Sequence, residues 1–222
     1  MSAADILERH GWLASRTPQA RRRILACGRM RRFAKGETLY HHGDMSEGVF
    51  GIVDGSVSIA IPNDVGTAHT VYLATAGFWI GDAALFADET RLVTVIAETA
   101  VEAFFLPRPQ LVEMVRNHPD LLRDFYALSH LNLSVALSLI SNLVTPNAAQ
   151  RLAAFLLNVD RRQVDQGAWI HVGQDRLAAM VALSTPTVQR HLRNLSDAGL
   201  VEIGYGRMRV LDRDGLRRIL AD

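Results

Sequence analysis

From about residue 33 to residue 106, apolar and polar positions alternate in short runs cut by glycine; beyond Pro119 the apolar positions recur every three or four residues. The first texture predicts strands and the second helices. In "GVFGIVDGSVSIAI", Asp54-Gly55 stands between two alternating segments and predicts a hairpin with a tight type I′ turn. The second arm places Val57, Ile59 and Ile61 on one face, with Ser56, Ser58 and Ala60 on the other. Alternation returns around Val71 and Leu73, and "RLVTVIAETAVEAFFL" divides into two strands around Glu98-Thr99. Many short strands with glycine punctuation predict a closed antiparallel roll or barrel. Two helices are expected ahead of it, the second N-capped by Thr17 with Pro18 at its first position.

After Pro107 and Pro109 a short helix is expected, then a long one from about Pro119 to Val144, residues 119-144. Along it Leu121, Phe125, Leu128, Asn132, Val135, Leu139 and Asn142 follow a 4-3-4-3 spacing, that of a coiled-coil seam. A second stripe, Leu122, Tyr126, Leu133, Ala136, Ile140 and Leu143, runs beside it. One stripe can lie on the roll while the other meets a partner helix. Asn132 in the seam would cost stability and fix the register of a parallel dimer. The stretch "FYALSHLNLSVALSLISNLV" has no Asp, Glu, Lys or Arg and is long enough to span a bilayer, which takes roughly 20 apolar residues. Its four serines, two asparagines and histidine instead predict a helix surrounded by protein, with no membrane partner. Thr145-Pro146 is expected to end this helix and to cap the next, "NAAQRLAAFLLNVDRR", so the domain boundary falls there: 1-144 and 145-222.

"DRLAAMVALSTPTVQRHLRNLSDAGLV" predicts a helix, a turn around Ala182-Leu183, and a second helix capped by Ser184 and stopped near Gly199. Val188, Leu192 and Leu195 share the face that must pack inward. Opposite lie Pro186, Arg190 and Arg193, flanked by Thr187 and Gln189, with Thr185 at the helix start. Proline is tolerated in the first turn, where its missing N–H is not needed. A face of arginines and small polar groups suits a DNA groove: Arg190 can take a guanine edge, and Arg193 or Thr187 can hold phosphates. "VEIGYGRMRVLD" then predicts a two-stranded wing that offers Arg207 and Arg209 to the DNA backbone.

Charge supports that division. From Thr145 onward eleven arginines face eight acids, whereas the first 144 residues are slightly acidic. A single cysteine, Cys27, excludes an intrachain disulfide framework and an iron–sulfur cluster, and fits a reducing cytoplasm. The opening "MSAADILERHGWLASR" is charged and amphipathic, unlike a signal peptide.

In "GDAALFADETRLV", Gly81 and Asp82 stand at one end of an apolar turn and Arg91 at the other. A carboxylate that takes hydroxyls and a guanidinium that takes a phosphate would make a nucleotide clasp. Arg91 can equally pair with Asp82, Asp88 or Glu89, which needs no ligand.

Through "GETLYHHGD", "IVDGSVSIAI", "GDAALF", "TAVEAFFL", the long helix, "RLAAFLL" and the helix-turn-helix, roughly residues 20–222 resemble the CRP/FNR family of bacterial transcription regulators. The resemblance implies an α+β architecture: an N-terminal antiparallel β-roll of the cyclic-nucleotide-binding kind, a long dimerisation helix, and a C-terminal winged helix-turn-helix. It further implies a homodimer on double-stranded DNA with two-fold related half-sites one helical turn apart, and RNA polymerase as a partner. Two departures stand out. Family recognition helices often begin Ser-Arg-Glu-Thr-Val, whereas this one reads Ser184-Thr185-Pro186-Thr187-Val188, so a different target sequence is expected. In members that bind cyclic nucleotides, a glutamate takes the ribose hydroxyl and an Arg-Ser or Arg-Thr pair the phosphate. Here Asp82 stands for the glutamate, Leu92 follows Arg91, and Ala136-Leu137 occupy the positions that would read the base. Each hydrogen bond lost from a charged group costs about 1.5–3 kcal/mol, so cyclic AMP is not expected to bind in the usual way.

Three other readings remain. A cyclic-nucleotide-responsive regulator would use Asp82 and Arg91. A haem-based sensor would draw on the eight histidines, although His41 and His42 point to opposite faces of a strand. A cupin-like metalloenzyme would need histidines two apart plus a glutamate and a later histidine, whereas the histidines of "HHGDMSEG" are adjacent. It would also leave the helix-turn-helix without a purpose, so no enzyme activity is expected.

Overall fold

The computed structural model describes residues 3–62, 68–145, 147–162 and 167–221. Three short helices open it: α1 (Ala3–Arg9), α2 (Gly11–Ala14) and α3 (Pro18–Ala26). The first of the two expected helices is thus broken at His10, which lets Trp12 and Leu13 turn into the core. Thr17 caps α3 as expected, its hydroxyl accepting from the Ala20 N–H at 3.2 Å with Pro18 in the first turn.

Eight strands follow: β1 (Arg29–Phe33), β2 (Thr38–Tyr40), β3 (Gly48–Asp54), β4 (Ser56–Pro62), β5 (Ala68–Thr75), β6 (Trp79–Ile80), β7 (Thr94–Ala97) and β8 (Val101–Pro107). They form two antiparallel sheets ordered β1-β8-β3-β6 and β2-β7-β4-β5. This corrects the hairpin expected at Asp54-Gly55, because β3 and β4 do not pair with each other. The chain crosses from one sheet to the other at Gly55, whose φ of +83° is a left-handed conformation that a side chain would strain. A Cβ there would also lie 2.2 Å from the Ala100 carbonyl oxygen. The return crossing, β7 to β8, packs against it: Ser56 N–H donates to Thr99 Oγ1 at 3.0 Å, and Glu98 N–H to the Ser56 carbonyl at 2.8 Å. Along β4, Val57 through Ala60 are all buried while Ile61 is exposed, so the expected one-sided alternation does not hold to the strand's end.

Two apolar layers result. Between the sheets Phe33, Tyr40 and Phe105 pack around Phe50 at centroid distances of 4.7–6.1 Å. A second cluster joins Trp12, Leu13, Ile24, Val49, Trp79 and Leu106 to helices α4 (Arg108–Asn117) and α5 (Leu121–Val144) through Leu111, Leu121, Phe125 and Leu128. Burying such a side chain contributes about 1.5–3 kcal/mol. Trp12 also donates its indole N–H to the Asp124 carbonyl at 2.7 Å, which anchors the start of α5.

The chain parts into two compact units, Met1–Val135 and Ala136–Asp222, so the division falls within α5 rather than after it. Beyond α5 come α6 (Ala148–Arg162), α7 (Gln174–Met180), α8 (Thr185–Asp197), β9 (Val201–Gly204), β10 (Arg207–Val210) and α9 (Arg213–Ala221). Asn147 caps α6, its side-chain oxygen accepting from Ala149 N–H at 2.9 Å; the expected cap was Thr145-Pro146, of which Pro146 lies outside the described residues. The core of this unit is Leu152, Phe155, Leu156, Leu177, Val181, Val188, Leu192, Val201 and Leu216. Asp160, fully buried, accepts from Arg213 Nε at 2.6 Å and Gly167 N–H at 2.8 Å, tying α6 to α9.

α5 corrects two further expectations. Leu121, Phe125, Leu128 and Val135 of the predicted seam are buried within their own unit, and Asn132 donates to the roll; Leu139 is half-buried and Asn142 buried. Leu121, Phe125 and Leu128 belong to the core of the first unit, so this part of the predicted seam is already packed inside the chain. The exposed stripe is the other one: Leu122, Tyr126, Leu133, Ile140 and Leu143 are 44–72% exposed, Ala136 is exposed with them, and Leu137 beside it is 57% exposed. Nor is the helix surrounded by protein, although it is long and apolar enough to cross a membrane by length and composition.

Candidate nucleic-acid interface and effector pocket

α8 starts where the sequence places it. Ser184 Oγ accepts from the Thr187 N–H at 3.3 Å and lies 2.8 Å from Thr187 Oγ1. Pro186 sits in the first turn. Val188 and Leu192 are fully buried and Leu195 nearly so, which turns Pro186, Arg190 and Arg193 outward, with Gln189 and Thr187 half-exposed beside them. Arg190, Arg193, Gln189 and Thr187 supply the polar groups of this outer face. The Thr185 hydroxyl instead donates to Asp175 Oδ1 of α7 at 2.9 Å, a bond that ties the two helices together and that the sequence pattern did not reveal. His191, half-buried behind Arg190, has its pKa lowered, first by burial of the ring and then by the Arg190 guanidinium.

The turn from α7 to α8 is closed by the Leu183 N–H donating to the Ala178 carbonyl at 2.9 Å. Ala182 adopts φ +50°, a left-handed position. α8 ends with Gly199 at φ +71° and the Leu200 N–H donating to the Leu195 carbonyl at 2.9 Å, a Schellman stop.

β9 and β10 pair in the expected wing, from Arg207 opposite Gly204 to Val210 opposite Val201. Tyr205 at the tip is fully exposed. Both wing arginines stack on Trp169, with guanidinium carbons 4.3 Å (Arg207) and 4.8 Å (Arg209) from the ring. Arg209 is also paired with Glu202, its Nε donating to Oε2 at 2.7 Å, so Arg207 is the wing cation better placed for an external anion. Trp169 was missed because its position before Ile170 carries no motif; Ile170 forms an isolated antiparallel bridge with Met208.

The clasp residues of the first unit are turned to other uses. Arg91 is buried, and its guanidinium donates to the carbonyls of Gly81 (2.7 Å) and Gly48 (2.6 Å) rather than to Asp82, Asp88 or Glu89. It lies 4.2 Å from the Tyr40 ring centroid, and its Nε is buried without a partner. Burial lowers the pKa of Arg91 and raises that of Tyr40, the two opposing this through their mutual charge. Gly81, at φ +101°, leaves no room for a side chain, since a Cβ would lie 2.4 Å from Arg91 Nη1. Asp88 is instead bound by Arg108.

Asp82 is similarly engaged. Asn132 Nδ2 donates to Asp82 Oδ1 at 2.6 Å and to the Trp79 carbonyl at 3.0 Å. Leu92 is 65% exposed, and Ala136 and Leu137 are exposed on their own unit. Two guanidinium nitrogens of Arg91 and one carboxylate oxygen of Asp82 are thus engaged from within the chain, while Arg91 Nε is left without a partner. The acceptors of Arg91 are backbone carbonyls, which leave no trace in side-chain identity.

Comparison with known proteins bears on both sites. The cyclic nucleotide-binding domain family matches residues 30–118, and the Crp-like helix-turn-helix domain family matches residues 150–219. The cAMP-activated global transcriptional regulator CRP of Escherichia coli is 27% identical over 175 residues, 77% of this chain and 83% of that protein. The transcriptional regulator SdrP of Thermus thermophilus is 26% identical over 193 residues, 84% of this chain and 92% of that protein. Among solved structures, a CRP/FNR family transcriptional regulator of Thermus thermophilus superposes with a TM-score of 0.66 at 25% identity, covering 87% of this chain and 99% of that one. FixK2 of Bradyrhizobium japonicum gives a TM-score of 0.76 at 21% identity over 86% and 96% of the two chains, a likeness of fold. These relatives are transcriptional regulators and not enzymes.

Proposed function

Because the chain belongs to the CRP/FNR family of transcription regulators, we propose that it acts as a homodimer that reads two-fold related DNA half-sites with α8 and does so without cyclic AMP. The observation that carries this reading is the sidedness of α8: Val188 and Leu192 are fully buried while Arg190 and Arg193 are exposed. A guanidinium on such a face takes the O6 and N7 of guanine together, and its neighbours hold phosphates. Thr187, Gln189 and Pro186 line the same approach, with Arg207 of the wing as a further phosphate contact.

Dimerisation falls to the exposed stripe of α5. An apolar run from Leu122 to Leu143 left in water is costly, and a second copy of the same helix covers it. That use accounts for the stripe without a membrane and is consistent with a protein that works in the cytoplasm with its DNA. RNA polymerase is the further partner that a transcription regulator engages.

For the roll, the engagement of Arg91 by Gly81 and Gly48 and of Asp82 by Asn132 supports a pocket that does not take cyclic AMP in the usual way. The match to the cyclic nucleotide-binding domain family favours a second reading, in which the nucleotide displaces those internal bonds. Calorimetric titration with cyclic AMP separates the two. No heat at micromolar nucleotide supports the first reading, and a saturable one-to-one isotherm establishes the second.

A further inference from the structure

One guanidinium joins the end of α5 to the turn before α8. Arg151, in the first turn of α6, donates from Nε (3.0 Å) and Nη2 (2.7 Å) to the Thr145 carbonyl. Its Nη1 donates to the carbonyls of Val181 (3.2 Å) and Ala182 (3.0 Å). Thr145 directly follows α5 and is fastened to it, its N–H donating to the Asn142 carbonyl and its hydroxyl to the Ser141 carbonyl. Val181 and Ala182 directly follow α7 and make the turn into α8.

The chemistry of this arrangement is specific. The carbonyls at a helix C-terminus have no partner within the helix and carry the negative end of its dipole. Arg151 satisfies such carbonyls at two helix ends at once, with no carboxylate beside it among the described residues. A planar fork with fixed donors holds the two ends at a set distance and angle, which a lysine ammonium on a flexible stem cannot reproduce. The turn it grips includes Ala182 in the left-handed region, a conformation that a non-glycine residue keeps only where its surroundings impose it. The last turns of α5 carry exposed Leu137, Ile140 and Leu143 and belong to the same compact unit as α7 and α8.

We infer that Arg151 is a positioning residue that makes the reading helix turn with the end of α5, so that the contact between two chains sets the distance between two reading helices. This inference rests on the dimeric DNA-binding reading above. It assigns Arg151 no contact with DNA.

The test uses a two-half-site duplex selected by the wild-type protein from a random-sequence pool. It is compared with one half-site alone and with the same duplex after insertion of two base pairs at its centre, which rotates one half-site by about 70°. Fluorescence anisotropy is read for wild type, Arg151→Lys and Arg151→Gln. Both variants should keep half-site affinity within about twofold, lose about tenfold on the full duplex, and discriminate against the insertion much less than wild type does. An unchanged spacing preference overturns the inference. So does an equal loss on half-site and full duplex, since Arg151 would then only stabilise the unit. A selection that returns no two-fold sequence overturns the dimeric reading and this inference with it.

Discussion

The side-chain amide of Asn132 donates to the carboxylate of Asp82 at 2.6 Å, and the same nitrogen donates to the Trp79 carbonyl at 3.0 Å. Helix α5 is thereby stitched to the loop that would hold a ribose, and the carboxylate that a ribose would need is engaged by the protein's own amide. A buried carboxylate that loses its donor costs about 1–3 kcal/mol. Asn132→Ala should therefore destabilise the first unit by that order and lower its urea midpoint accordingly, and Asn132→Asp more, since it sets two carboxylates against each other. Unchanged midpoints in both variants would show that the bond is absent in solution.

Arg91 should behave as a structural residue. Its removal leaves the Gly81 and Gly48 carbonyls without donors in a buried site, a loss of about 2–5 kcal/mol. Arg91→Ala is expected to melt early with or without millimolar cyclic AMP. A wild-type melting temperature that rises with nucleotide, and a variant that alone fails to respond, would return Arg91 to the role of a phosphate ligand.

The two stripes of α5 make opposite predictions. Leu133→Glu and Ile140→Glu, on the exposed side, should give folded monomers in analytical ultracentrifugation. Leu128→Glu, which places a charge at a position 1% exposed, should unfold the first unit instead. Dimers from the Leu133 and Ile140 variants would assign association to another surface.

Much of this was legible in residue patterns. Thr17-Pro18 and Ser184 announce helix starts because a side-chain oxygen just ahead of a helix has one geometric use. The sidedness of α8 follows from Val188, Leu192 and Leu195 falling on one face at helical period. Which stripe of α5 faces inward was not legible, since both are apolar and only the surface each meets decides between them. The same holds at Gly55, where alternation marks two strands without saying whether they pair or part into different sheets. Arg91 illustrates a third limit: acceptors that belong to the backbone are common to every sequence.

The wing makes a prediction in salt. Trp169 holds Arg207 and Arg209 against its ring, and Glu202 already neutralises Arg209. Arg207→Ala should weaken binding to all duplexes alike and reduce the slope of log affinity against log salt by about one. Arg209→Ala should change that slope far less. Equal slopes for wild type and Arg207→Ala would remove Arg207 from the interface.

His191 sets a pH dependence. Its folded pKa lies below the ordinary value of 6.5, through burial and the nearby Arg190. The folded state then binds fewer protons than the unfolded one, so stability rises with pH across the interval below 6.5 and is complete above it. Wild type should lose more melting temperature between neutral and mildly acidic pH than His191→Gln does. Parallel pH profiles for the two would contradict the shift.

The central claim, that α8 reads DNA through Arg190 without a nucleotide, is tested most directly by one gel-shift comparison. Wild type and Arg190→Ala are titrated, with no cyclic AMP present, against the two-half-site duplex that wild type selects. The account predicts a tight wild-type complex and a variant weaker by about 1–3 kcal/mol per guanine read, or roughly tenfold to a hundredfold. Equal binding by the two proteins, or a wild-type complex that forms only after cyclic AMP is added, would contradict it.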